Sequence, residues 1–65
     1  MKNRIEQIRK ERGILQDEFA KLMGVSRQTI SSLETGRYNP SIMLAYKIAQ
    51  YFGMTIEEVF IFEEE

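Results

Sequence analysis

Cysteine and histidine are both missing from this 65-residue chain. Without Cys, neither a disulfide nor a thiolate zinc site can brace it. Without His, it lacks the commonest metal ligand and general base. Proline occurs once and glycine four times, with 43% apolar and 29% charged residues, which excludes a disordered or low-complexity chain. No apolar run approaches the roughly 18 residues of a membrane span, and the N-terminus lacks the apolar segment of a signal peptide. A soluble, cytoplasmic protein with no membrane partner is expected. At this length the chain is one domain, residues 1–65, and buries only about 60% of the surface it exposes unfolded. So little volume favours binding over catalysis. No enzyme activity, metal, cofactor or small-molecule ligand is expected.

The formal net charge of −1 does not by itself suggest nucleic acid. Its distribution does. Residues 1–56 carry nine basic and five acidic side chains, a net of +4, while residues 57–65 carry five acids and no base. A weakly basic body with an acidic end still presents a positive face. The acids Glu57, Glu58 and Glu63 to Glu65 read as a solvated tail rather than a metal site.

Capping residues and glycines cut the chain into short helical pieces. Asn3 with Glu6 predicts a capping box for a first helix, with Ile5 and Ile8 inward and Gly13 as its stop. A second piece spans about Gln16 to Met23, with Phe19, Ala20 and Met23 on one face. A third runs from Arg27 to Thr35, capped by Ser26, with Ile30 and Leu33 inward. Pro40 keeps Asn39 out of a helix, and Ser41 caps a fourth helix reaching Phe52. Thr55 and Glu58 form a capping box for a short fifth. The expected class is all-α, a five-helix bundle.

Two helices joined by a tight Gly-containing turn make the DNA-binding helix-turn-helix when the second carries a polar face. Here Ala20 is small where the helices would cross, Gly24 suits a left-handed turn, and Val25 fills the corner. Opposite Ile30 and Leu33, the third helix presents Gln28, Ser31, Ser32 and Thr35. That face is uncharged and built from amides and hydroxyls, whereas a merely solvated face would more often carry Lys and Glu. Gln pairs bidentately with adenine and Arg27 with guanine. Backbone N–H groups at helix starts suit phosphates.

The run from Gln16 to Arg37, QDEFAKLMGVSRQTISSLETGR, resembles the DNA-binding domain of Cro and phage-repressor type helix-turn-helix regulators. The resemblance covers essentially the whole chain and implies the five-helix lambda-repressor-like fold. It is similar in particular to small members without an effector domain. It implies DNA contact for Gln16, on a phosphate, and for Arg27, Gln28, Thr29 and Ser32 at the recognition helix. It also implies backbone contact from the loop of Arg37, Tyr38 and Asn39; Tyr38 either touches a phosphate or packs over the loop. With Ser26 and Ser31, these make the candidate DNA-binding set. The family's ion pair between first and third helices corresponds to Arg9 and Glu34, and both flank inward apolar stripes. Leu15 departs from the family's Ser or Thr cap, a loss of about 1 kcal/mol.

These residues together point to a sequence-specific regulator of double-stranded DNA, a repressor binding a two-fold operator as a homodimer. The alternative is an antitoxin or other protein-interaction module of the same fold. Ile56, Val59, Phe60, Ile61 and Phe62 place more apolar surface at the end than a short fifth helix can bury, which predicts a dimer interface. The segment Phe60-Ile61-Phe62-Glu63 favours an extended conformation and a short terminal strand pair with Met1-Lys2-Asn3, against the alternative of a frayed tail.

Overall fold

Each helix begins where a side chain or backbone group satisfies orphan N–H donors and ends where the chain can turn out of the helix. The computed structural model describes residues 1–62, which form α1 (Ile5–Glu11), α2 (Gln16–Met23), α3 (Arg27–Glu34), α4 (Ile42–Phe52) and α5 (Ile56–Val59). Ser26 and Ser41 accept at their hydroxyls from Thr29 N and Leu44 N, both at 3.1 Å. Thr55 and Glu58 make the reciprocal capping box, at 3.2 and 2.8 Å. At α2, Leu15 offers no side-chain acceptor; the Glu18 carboxylate supplies the other half alone, accepting from Leu15 N at 3.0 Å. Gly24 closes α2 with φ of +72°, a left-handed conformation that a Cβ would strain.

The start of α1 differs from the expected capping box. Arg4 occupies the cap position without a side-chain bond. Asn3 is engaged elsewhere: its backbone bridges Phe60 antiparallel, and its Nδ2 donates to Leu33 O at 2.7 Å. Its Oδ1 still accepts from Ile5 N at 3.1 Å. The two ends pair through Arg4 N to Val59 O at 2.8 Å and Ile61 N to Lys2 O at 2.9 Å. Among the described residues this is a single bridge, not a sheet; the part of the expected strand at Glu63 lies outside them, as do the acids through Glu65.

The core gathers Ile5 and Ile8 of α1, Phe19 and Met23 of α2, Ile30 and Leu33 of α3, and Ile48 and Phe52 of α4. Phe19 and Phe52 lie parallel with centroids 5.2 Å apart. Arg12 clamps the far end of α4, donating to Phe52 O at 2.8 Å while lying over its ring. Val59 and Phe60 complete this core and are fully buried within the single chain. The terminal bridge folds Phe60 inward, so neither side chain is the exposed apolar surplus that the sequence suggested. Of the five residues expected at a dimer interface, Ile56 and Ile61 stay half-buried and Phe62 exposed. Among the described residues no helix is long and apolar enough to cross a membrane.

Candidate nucleic-acid interface

The turn between α2 and α3 is built from backbone bonds and one small contact. Gly24 N donates to Lys21 O at 3.1 Å and Val25 N to Ala20 O at 3.0 Å, satisfying the last carbonyls of α2. Ala20 is buried beneath the turn, and Val25 packs on the core edge. Ile30 and Leu33 then anchor α3 from the inside. The opposite side of α3 is therefore presented to solvent on a rigid base.

On that side Ser26, Gln28, Thr29, Ser32 and Tyr38 line an open depression of about 230 Å³. The Ser26 and Thr29 hydroxyls bond to each other at 2.9 Å, so the cap also orders the helix start. Tyr38 is delivered by the loop folding back on α3: the backbone N–H groups of Arg37 and Tyr38 both donate to Ser32 O, at 3.1 and 3.3 Å. Arg37 is exposed beside it. Ser31 is half-buried and does not line this depression. Asn39 is turned toward the chain's first residue, whose amino group donates to its Oδ1 at 3.2 Å and to Gly36 O at 3.1 Å.

A second depression of about 260 Å³ lies at the start of α2, lined by Leu15, Gln16, Asp17 and Arg27. Behind it sits the ion pair between α1 and α3. Arg9 Nε and Nη2 donate to the two Glu34 carboxylate oxygens at 2.8 and 3.2 Å, and Nη1 donates to Ile14 O at 2.9 Å. Both side chains are nearly buried, 8% and 3% exposed. The hydrogen bond to Glu34 pushes the Arg9 guanidinium above its ordinary pKa, against the opposing effect of burial. Gln16 joins this pair by donating Nε2 to Glu34 Oε1 at 2.9 Å, so one buried acid orients both the α1 cation and the first side chain of α2.

The structure thus draws most of the sequence-predicted residues into two neighbouring depressions. Asp17 was not among them. Its contact with Arg27 crosses the turn over ten positions, and helical periodicity carries no signal for a pair on two different helices.

Comparison with known proteins places this geometry. The helix-turn-helix family matches residues 5–59. An uncharacterized HTH-type transcriptional regulator of Methanocaldococcus jannaschii is 48% identical over 65 residues, all of this chain and 98% of that protein. Another from Bacillus subtilis is 43% identical over the same extent. The SinR master regulator for biofilm formation, solved in complex with DNA, aligns with a TM-score of 0.73 and 34% identity, over 83% of this chain and 87% of that one. A Listeria innocua transcriptional regulator aligns over all of this chain and 64% of its own, with a TM-score of 0.83 and 23% identity, which bears on the fold alone. With five helices, the Gly24 turn and a polar outer face on α3, the chain belongs to the Cro and phage-repressor type of helix-turn-helix transcriptional regulators.

Proposed function

We propose that this protein is a sequence-specific repressor that binds a two-fold operator in double-stranded DNA as a homodimer. The observation that carries the reading is the outer face of α3, where amide and hydroxyl groups line an open depression without a charged side chain. Gln28, exposed on this face, reads a base edge in the major groove, and Arg27 reads a second. Gln16, Arg37 and Tyr38 flank them and meet phosphates, which sets register without reading sequence. A domain this small covers too few base pairs to discriminate well alone, and two half-sites multiply the preference.

The second copy docks at the chain ends. Met1, Ile42, Ile56 and Phe62 rim an apolar groove of about 230 Å³ floored by Phe60 and Ala45. Ile42 is 78% exposed and Phe62 61%, both next to the groove. A two-fold contact needs a patch that complements itself, and here projecting apolar groups and a groove lie side by side. Occupying a promoter is then enough to repress.

Selection of bound sites from random duplex DNA tests the reading. The expected result is an enriched inverted repeat with half-site centres one helical turn apart, about 34–36 Å. Failure to enrich any duplex overturns it.

A further inference from the structure

Asp17 and Arg27 meet on the DNA-facing surface. Arg27 is the first residue of α3 and Asp17 the second of α2. Arg27 Nε donates to Gln16 Oε1 at 3.3 Å and lies 3.3 Å from Asp17 Oδ1. Gln16 is itself held, because its amide nitrogen donates to the nearly buried Glu34. The guanidinium is therefore gripped along its Nε edge by a chain of contacts that ends in the core. Both contacts fall on Nε, which leaves the paired Nη groups for a ligand.

An exposed pair of this kind, 68% and 63% accessible, adds little to stability. Its consequence is electrostatic. The Asp17 carboxylate repels a phosphate that approaches the Arg27 guanidinium beside it, whatever the base sequence, and so offsets the attraction of Arg27 for the backbone. A guanine edge offers O6 and N7 as two acceptors without a formal charge, so it engages the Nη groups without that repulsion. We propose that Asp17 is a specificity-determining residue: it holds Arg27 by the Nε edge and reserves the guanidinium for a guanine edge instead of a phosphate. The assignment rests on the DNA-binding reading above.

The test compares the unmodified chain with Asp17→Asn, Asp17→Glu, Arg27→Ala and the Asp17→Asn/Arg27→Ala double variant, on the selected operator and on a random duplex across a salt series. Asp17→Asn is expected to tighten random-duplex binding about three- to tenfold and to steepen the slope of log K against log salt by about 0.9, the increment for one phosphate. Operator binding gains less, so the operator-to-random ratio falls, and the lost preference is confined to one base pair per half-site. Asp17→Glu keeps the charge and restores the ratio. With Arg27→Ala already present, Asp17→Asn causes no further loss of preference. An unmoved ratio in Asp17→Asn, or a fall of equal size with Arg27→Ala present, overturns the assignment. If the unmodified chain enriches no duplex, the DNA-binding reading fails and takes this assignment with it. An enriched sequence with an unmoved ratio overturns the Asp17 assignment alone.

Discussion

Gln28 and Arg37 separate the two kinds of contact that a DNA-binding surface makes. Gln28 sits exposed on the lip of the α3 depression, and its amide matches the donor and acceptor of an adenine edge. Gln28→Ala is therefore expected to cost about 1–3 kcal/mol at one base pair per half-site and to relax preference there, measured by titrating operator variants. Arg37→Ala should weaken operator and random duplex alike and flatten the log–log salt slope by about 0.9. Equal losses on operator and random DNA for Gln28→Ala would contradict its role. Both residues were legible as candidates, because their types suit base edges and phosphates. The position of Tyr38 next to Gln28 was not, since it depends on the carbonyl of Ser32 receiving the returning loop.

At the level of elements, no helix among the described residues is longer than the 11 residues of α4. Isolated helices of this size are marginal in water, so each is stable only against the others. The Arg9–Glu34 pair is one of the contacts between them, tying α1 to the end of α3 with Gln16 of α2 as a third partner. Removing either charge strands the other in a nearly buried site, with an expected cost of about 3–5 kcal/mol. A double-mutant cycle of Arg9→Ala and Glu34→Ala on urea unfolding should show strong coupling; additive losses would mean that the two charges act separately. The raised Arg9 pKa implies no loss of this contribution on its account at any ordinary pH. A group whose pKa rises on folding contributes fully below its unfolded pKa, and for a guanidinium that covers the working range.

For the whole molecule, the chain ends decide which apolar surface is available to a partner. Phe60→Asp would place a charge in the core and unfold the monomer, so it cannot test association. Ile42→Asp and Phe62→Asp change exposed side chains and are expected to leave helical circular dichroism and melting nearly unchanged. Sedimentation should show them monomeric, and binding to the full operator should weaken far more than binding to a half-site. An unmodified chain that stays monomeric at micromolar concentration and on a two-fold operator would remove the groove as the dimer contact.

Periodicity and capping chemistry determined the element order and the polar face of α3, because both are local: Ser26, Ser41 and Thr55 sit within a few residues of the N–H groups they satisfy. The family pattern from Gln16 to Arg37 lies in the same short stretch. What only the tertiary structure decided involves residues far apart in the chain. Asn3 keeps Ile5 N on its Oδ1, but the cap position falls to Arg4, while the Nδ2 and backbone of Asn3 reach Leu33 O and Phe60, far away in the chain. Phe60 read as surplus apolar surface in a helix of four residues, yet the bridge to Asn3 turns it into the core. Asp17 carried no signal of its own in the sequence; only the packing of α3 brings Arg27 to it. Local pattern specifies which face of a helix is apolar; only the packing of one helix against another specifies which polar groups meet.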